Sequence, residues 1–406
     1  MTGSDHPSRS TPPEAPPPGD DAAPGPDGRP GSPAARGSYG PSPVEVAATA
    51  LWMGRLVAFP TETVYGLGAD ARNPEAVARI FAVKGRPTVH PLIVHVADGG
   101  MLDEIALEVP DAARRLAAAL WPGPLTLVVR RRPGAVAEEV AAGLPTVGVR
   151  VPGHPIGLAL LRAFGGPVAA PSANRFGAVS PTTAAHVLAD LGDAVDVVLD
   201  GGPCPVGVES TIVDCTGGLP TDGSGGELRI LRLGGVPAER LAEIVGYEIP
   251  VGGTTAAPGT LASHYAPRAR VEVVRDGPAA RARAHELTAA GTAVAVIAPG
   301  RTNGGSPPAV LDGRGGTGAT EDAEGTGGRG DHGHGAGPDP EPGGGPPRLV
   351  ELDVPDDPEG YARVLYARLR EADELGVEVV VAAPPPGRSG LADTVADRLR
   401  RAAGPR

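Results

Sequence analysis

The chain has 406 residues, among them 61 glycines and 48 prolines, and a formal net charge of -12; that length exceeds one ordinary core and calls for two folded domains plus unstructured material. The acidic balance excludes nonspecific adhesion to nucleic acid or anionic membrane over the whole surface and leaves only a local basic groove for such contacts. Cys204 and Cys215 are too few for a disulfide framework and lack metal-ligand spacing, no apolar run approaches the roughly 20 residues of a membrane helix, and no basic-then-apolar leader opens the chain, so a soluble cytoplasmic protein is expected.

Residues 1–41 are rich in Pro, Gly, Ser and Asp with almost no large apolar side chain. They cannot bury enough surface to offset their ordering entropy and are expected to be disordered. Folding begins at Ser42-Pro43-Val44-Glu45, a capping box with proline at the first helical position, and that helix is expected to stop at Gly54. Leu56–Phe59 reads as a short buried strand. From there to residue 245, helical patterns at Pro74–Val83 (with Asn73 as cap), Asp111–Leu120, Pro155–Phe164, Thr182–Leu191 and Pro237–Val245 alternate with strand patterns. The strands are expected at Leu92–Val96, Leu125–Arg130, Thr146–Val151, Val168–Ala170, Val197–Asp200, Ser210–Asp214 and Arg229–Leu233. Residues 42–245 thus read as an α/β domain on a twisted sheet, whose strand order and pairing sense the pattern leaves open.

Residues 246–267 lack periodicity and end in PGTLASHYAP, an interdomain linker in which His264 and Tyr265 beside a proline point to docking rather than free motion. In residues 268–406, continuous apolar strands at Val271–Val274, Ala293–Ala298, Leu349–Val354 and Val377–Ala383 are separated by helices at Ala279–Ala290 and Glu359–Leu375, and a last helix runs over Leu391–Ala402. That alternation predicts a smaller, Rossmann-like parallel sheet covered on both faces. The Gly-rich, charged insertion at about residues 300–347 is expected to be disordered, and its His332 and His334 read as solvated rather than metal-binding.

Four stretches carry chemistry. In KGRPTVHPLIVHV (Lys84–Val96), Lys84 and Arg86 stand two apart where a helix gives way to a strand, and since burying unpaired charge is prohibitive, both are expected to face solvent or an anionic ligand. In FPTETVYGLGAD (Phe59–Asp70), Thr61, Thr63 and Tyr65 offer hydroxyls, and Gly66 and Gly68 allow close backbone approach. PSANRFGAVSPT (Pro171–Thr182) sets Ser172, Asn174 and Ser180 before a helix N-terminus, an arrangement suited to an anion. A plain capping turn explains Ser180 and Pro181 but does not require Ser172 and Asn174. In TVGVRVP (Thr146–Pro152), Arg150 lies within an apolar strand and needs a carboxylate, supplied either by Glu209 of VGVESTIVD (Val206–Asp214) or by a bound amino acid. Phosphate-loop, dinucleotide, zinc-protease, zinc-cysteine and serine-hydrolase patterns are all missing, so no metal site is expected. A cationic and hydroxylic inventory without a nucleophile fits electrostatic catalysis on a phosphate ester.

Taken together, PTETVYGLGAD, KGRPTVHPLIVHV, LWPGPLTLV, GVRVPGHP, PSANRFGAVSPT, VESTIVD and LRLGG, in this order between about Pro43 and Gly235, closely resemble the Sua5/YciO/YrdC family. Lys84, Arg86, Ser172 and Asn174 match its KxR and SxN signature. The trailing PGTLASHYAP and the second α/β domain resemble the two-domain Sua5 branch, whose members are L-threonylcarbamoyladenylate synthases. The resemblance implies a YrdC-like catalytic domain, a linker that acts as a lid, and a Sua5 C-terminal domain. It implies a reaction joining L-threonine, bicarbonate and ATP into L-threonylcarbamoyladenylate with release of pyrophosphate, toward threonylcarbamoyladenosine in tRNAs that read codons beginning with A. Catalytic roles fall on Lys84, Arg86, Ser172 and Asn174, and threonine contacts on Thr63, His95, Arg150, the Ala170 backbone and Ser210. Nucleotide contacts fall on Arg86, His90, Thr146, Ser172, Ser180, Arg232 and Tyr265. By the same resemblance ATP is a substrate accompanied by Mg2+, no cofactor is tightly bound, and the tRNA threonylcarbamoyl-transfer machinery and a weak tRNA contact are the partners. The chain departs from the family's pattern in its Gly-rich insertion and in GGLPTDGSGGE, which lengthens the loop before Arg232. Two other readings compete: an RNA-binding module, disfavoured by the acidic balance and the few aromatics for base stacking, and a related carbamoyl-group transferase, disfavoured by the missing zinc-finger and acylphosphatase-like segments.

Overall fold

The first helix forms where its capping box sits. In the computed structural model Pro43–Trp52 is helical, Glu45 N donates to Ser42 Oγ at 3.3 Å, and Ser42 N donates to Glu45 Oε2 at 2.7 Å. The structure describes residues 40–217, 228–253, 255, 257–259, 264–300, 311–312, 348–388 and 390–405. The disorder expected of residues 1–41 therefore falls, but for the last two, outside the described residues, as does most of the insertion with His332 and His334.

Ten strands build the first sheet: β1 (Val57–Phe59), β2 (Gly66–Asp70), β3 (Ile93–His95), β4 (Ala106–Glu108), β5 (Leu125–Arg131), β6 (Thr146–Arg150), β7 (Val168–Ala169), β8 (Val197–Val198), β9 (Thr211–Asp214) and β10 (Arg229–Arg232). Their order is β10-β9-β5-β6-β3-β7-β2-β1-β8, with β4 paired to the end of β5. The pairs β1/β8, β3/β6 and β5/β9 are parallel and the others antiparallel. The helices Pro74–Lys84, Asp111–Leu120, Pro155–Phe164, Ala184–Leu191 and Ala238–Val245 fall where apolar periodicity puts them, the last two starting one or two residues late. Leu67, Val94, Leu127 and Val149 from neighbouring strands meet Val77, Ile80 and Leu116 from the helices in one buried cluster.

Two strands of this sheet, β2 and β4, have no counterpart among the strands expected from sequence. Of Phe59–Asp70, read as offering hydroxyls and close backbone approach, Gly66–Asp70 forms β2 near the middle of the sheet, and Gly66 also lines the cavity described below. A Cβ at Gly68 would come within 2.9 Å of both the Phe59 ring and Val168 Cγ1, so glycine serves close packing of β2 between its neighbours.

In the second sheet β11 (Arg270–Val273), β12 (Val294–Ile297), β14 (Arg348–Glu351) and β15 (Val379–Ala382) run parallel in the order β11-β15-β12-β14. β12 and β15 are buried along their whole length, as strands covered on both faces must be. At the outer edge β13 (Leu311–Asp312) pairs antiparallel with β14. Those two residues lie inside the insertion expected to be disordered, and they gain order by completing an edge ladder.

The helices Pro358–Glu374 and Leu391–Ala402 of this second sheet pack against the first domain. Arg363 Nε donates to Pro205 O at 3.0 Å, Arg370 pairs with Asp190 at 2.6 Å, and Thr394 Oγ1 donates to Gly234 O at 3.1 Å. Val64, Val179 and Val208 of the first domain share an apolar cluster with Tyr361, Leu365 and Val395 of the second. Such a shared apolar cluster ties the two sheets together.

Candidate active site

The linker's end docks where the two domains meet. Ala266 N donates to Gly177 O at 3.0 Å and His264 N to Arg401 O at 3.2 Å, which places Tyr265 over the mouth formed by the ends of the central strands. Beneath it is a cavity of about 60 Å³ lined by Thr61, Thr63, Val64, Tyr65, Gly66, Arg86, Ile93, His95, Arg150, Ala170, Pro171, Ser172, Glu209, Ser210, Arg232, Pro258, Gly259, His264 and Tyr265. Thr63, Arg86, His95, Arg150, Ala170, Ser172, Ser210, Arg232 and Tyr265, expected from sequence, are thus brought together.

One end of the cavity is built around Arg150. His95 and Arg150 are register partners on β3 and β6, so both side chains leave neighbouring strands side by side. The Arg150 guanidinium donates from Nη1 to Thr63 Oγ1 at 2.9 Å and from Nε to Gly123 O at 3.3 Å, and its Nη2 lies 2.7 Å from Glu62 Oε1. Glu62 is therefore the carboxylate that Arg150 reaches; the sequence alternative of Glu209 is not realised. Glu62 is itself fixed by Gly153 N, which donates to Oε2 at 2.8 Å. Burial, then the Arg150 charge, push the His95 pKa down to about 3, so the imidazole is neutral at physiological pH.

The other end carries Arg86 and Arg232. Arg86 donates from Nη2 to Pro91 O at 3.1 Å and lies 5.6 Å from the Phe176 ring centroid, while its Nε has no hydrogen-bond partner among the described residues. Burial lowers its pKa to about 10, which leaves it cationic. Arg232, at the end of β10, donates to Ser210 O at 2.8 Å, Ser210 Oγ at 3.1 Å and Pro258 O at 2.9 Å. It is buried against the site despite the lengthened loop before it, most of which lies outside the described residues.

Lys84 corrects an expectation. It faces neither solvent nor the cavity: it is 2% exposed, and its ammonium donates to Ser172 O at 2.6 Å and to Asn174 O. Carbonyl partners lower the cost of burying it, although burial, and then the Arg86 charge, still push its pKa well down. Arg86 is buried as well, but on the cavity wall, where the ligand-facing alternative puts it. Asn174 does not line the cavity either, since its Nδ2 donates to Arg175 O and Ala178 O at 2.7 and 2.9 Å. Lys84 and Asn174 therefore shape the loop that carries Ser172. Three further expected residues stand outside the cavity. His90 is stacked on Phe176 at 5.6 Å, Thr146 borders an adjoining recess behind Ile93 and Pro258, and Ser180 Oγ donates to Glu209 Oε1 at 2.7 Å.

Glu62 braces the site without having been singled out from sequence, while Glu209, considered there only as the partner of Arg150, and His264, considered only for docking of the linker, line the cavity. The position of Glu62 between Thr61 and Thr63 was a signal; for Arg398 and Tyr366, which reach Glu209 from the C-terminal domain, nothing local in the sequence marks the contact.

The family model described as "Telomere recombination", that of Sua5/YciO/YrdC, matches residues 49–234, and the one described as "Threonylcarbamoyl-AMP synthase, C-terminal domain" matches residues 236–404. The threonylcarbamoyl-AMP synthase of Pyrococcus abyssi (strain GE5 / Orsay) is 37% identical over 375 residues, which cover 89% of this chain and 94% of the relative. The chain belongs to the two-domain Sua5 branch of this family. The synthase is also 42% identical over 243 residues to the threonylcarbamoyl-AMP synthase of Bacillus subtilis (strain 168), covering 57% of this chain and 66% of that relative. Among solved structures, P. abyssi Sua5 complexed with L-threonine superposes with a TM-score of 0.71 at 36% identity, covering 89% of this chain and 94% of the other. P. abyssi Sua5 with an adjacent His and Tyr both replaced by alanine superposes equally well. The mixed ten-stranded sheet followed by four parallel strands is thus the Sua5 architecture, and the activity is that of a threonylcarbamoyl-AMP synthase, a nucleotidyltransferase.

Proposed function

We propose that the cavity holds L-threonine at the Arg150 end and the phosphates of ATP at the Arg86 and Arg232 end. The observation that carries this reading is the separation of charge types within one cavity: a guanidinium already braced by Glu62 and Thr63 beside a neutral imidazole at one end, two buried guanidinium groups at the other. A braced arginine offers a planar fork to a carboxylate, whereas a pair of cations suits a polyphosphate.

In this reading Arg150 takes the threonine carboxylate, and Thr63, His95, the Ala170 backbone and Ser210 surround the rest of the amino acid. The threonine nitrogen adds to bicarbonate with loss of water, giving an N-carbamate. A carbamate oxygen then attacks the α-phosphorus of ATP, the bond from that phosphorus to the bridging oxygen breaks, and pyrophosphate leaves with the electron pair. The step needs two anions brought together, so positioning and fixed positive charge supply the catalysis. Arg86 and Arg232 meet the charge that gathers on the leaving phosphates, and Ser172 donates to the α-phosphate. Lys84 and Asn174 hold the Ser172 loop, and Ser180 holds Glu209. His90 and Thr146 border the adenosine.

A Mg2+ ion accompanying ATP would be held by the nucleotide's phosphates and would supply further positive charge there. No group of three His, Cys, Asp or Glu side chains able to cage a metal occurs among the described residues, and Glu62 and Glu209 are both engaged with arginines. The cavity is far below the roughly 300–1,000 Å³ of ordinary small-molecule sites, so Pro258, Gly259, His264 and Tyr265 move outward to admit ATP and return to shield the labile carbamate adduct from water. The product passes to the machinery that modifies tRNA, in the cytoplasm, with at most weak tRNA contact by this chain. No helix among the described residues is long and apolar enough to cross a membrane. Purified protein given L-threonine, bicarbonate and Mg-ATP is expected to release pyrophosphate only when all three are present. Release that ignores threonine overturns the reading.

A further inference from the structure

Glu209 stands on the wall of the cavity, next in sequence to Ser210, whose carbonyl and hydroxyl the Arg232 guanidinium holds. Ser180 Oγ donates to its Oε1 at 2.7 Å, Tyr366 OH lies 3.0 and 2.9 Å from its two oxygens, and Arg398 Nε donates to Oε2 at 2.7 Å. Tyr366 and Arg398 both belong to the C-terminal domain.

Arg398 is 0% exposed although it lies near the end of the last helix. Besides Glu209, it donates from Nη2 to Leu233 O at 2.7 Å and from Nη1 to Asp397 Oδ2 at 2.6 Å, and its guanidinium lies 5.0 Å from the Tyr265 ring centroid. One side chain of the second domain thus touches the residue before Ser210, the residue after Arg232 and the aromatic that covers the cavity. Burying a guanidinium so completely is costly unless it is paired and fully hydrogen-bonded, and an apolar contact would have joined the domains without that cost.

Charge explains the choice. Glu209 and Arg232 line one cavity and attract one another. A Glu209 carboxylate without its own counter-ion would draw on Arg232 and cancel the cation that the phosphates meet. We propose that Arg398 is a positioning residue of the synthase reaction: as the counter-ion of Glu209 it leaves the Arg232 charge free for the nucleotide, which makes the C-terminal domain a working part of the active site. This rests on the assignment of Arg232 to the phosphates made above.

The test compares the parent enzyme with Arg398→Met and with the double variant Glu209→Gln/Arg398→Met, each assayed for pyrophosphate release at varied ATP and varied L-threonine, with thermal melts alongside. Activity of the parent with all three substrates is read first, so that failure of the functional reading is separated from failure of this inference. Removing one partner of a buried charge pair exposes the other, and Arg398→Met is expected to raise KM for ATP about tenfold or more while KM for threonine changes less than about threefold. Removing both charges frees Arg232 again, and the double variant is expected to return KM for ATP to within about threefold of the parent. An unchanged KM for ATP in Arg398→Met, a parallel rise in both KM values, or a double variant as impaired as the single one overturns the inference. Where Arg398→Met melts below the assay temperature, the double variant decides alone: a parental KM for ATP supports the inference, and a rise of about tenfold or more overturns it.

Discussion

Arg150 is gripped by Thr63, Glu62 and Gly123 at once, so its fork is oriented before any ligand arrives. Lysine at that position keeps the charge but loses the planar fork and cannot make all three contacts. Arg150→Lys is expected to raise KM for threonine about tenfold or more with little change in KM for ATP, since a charge-assisted bidentate contact contributes on the order of 1.5–3 kcal/mol. A rise confined to ATP would place the amino acid elsewhere. Lys84 makes a different prediction because its ammonium serves two carbonyls rather than a ligand. Lys84→Met should lower stability by about 1–3 kcal/mol, seen in urea melts, as the carbonyls of Ser172 and Asn174 lose their donor. Its loss of turnover should follow from displacement of Ser172, so a variant of full stability and no activity would contradict this role. The sequence shows that Arg150 needs a carboxylate but cannot show which one. Glu62 and Glu209 are both within family-like motifs, and only the path of the chain between β1 and β2 brings Glu62 to β6. For Lys84 the physical premise about unpaired charge is sound; what it leaves out is that a loop's free carbonyls can serve as the partners.

At the scale of elements, apolar period and cap chemistry placed most helices to within a residue or two, because Ser42, Asn73 and the prolines at first helical positions mark their starts. Strand β2 escaped that reading because two of its five residues are glycine and its neighbours carry hydroxyls, so its composition matches a turn. Its identity comes from β1 and β7 on either side, which no local pattern contains. Packing there is tight enough to test. Gly68→Ala sets a methyl 2.9 Å from the Phe59 ring and from Val168 Cγ1, and overpacking of that kind is expected to cost about 1–3 kcal/mol in a thermal or urea melt. An alanine variant as stable as the parent would mean that β2 has slack the structure does not show. The sense of strand pairing was likewise unreadable from the connections, since three parallel pairs are interleaved with antiparallel ones.

The whole molecule links its two sheets through groups whose charge state burial controls. His95 and His264 are each pushed down to about 3, chiefly by burial, with Arg150 beside the first and Arg86 and Lys84 beside the second. The Glu209 carboxyl, which burial alone would raise, is held at about 2 by Arg398 and Arg232. For the histidines the folded value lies below the ordinary 6.5, so the unfolded chain takes up protons first as pH falls. Stability is then full above about 6.5 and declines toward about 3, by up to about 1.4 kcal/mol per pH unit for each group. Glu209 adds a second decline that begins near 4.5 and ends near 2. Melting temperature should fall as pH is lowered from about 7 to about 5, with the fall reduced in His264→Gln; a level profile across that range would contradict the buried, neutral imidazoles. The linker's docking was legible from its aromatic pair and proline. The clasp of the last helix on Glu209 was not, because it joins residues 189 positions apart.

In this reading one cavity, closed by the linker, seats an amino acid and a nucleotide side by side. A crystal structure with L-threonine and a non-hydrolysable ATP analogue tests this. The threonine carboxylate is expected on the Arg150 guanidinium, with the α-phosphate next to Ser172 and the outer phosphates against Arg86 and Arg232. Either ligand found bound away from these side chains, with the Arg150–Glu62 pair and the Arg232 guanidinium left facing solvent, would contradict it.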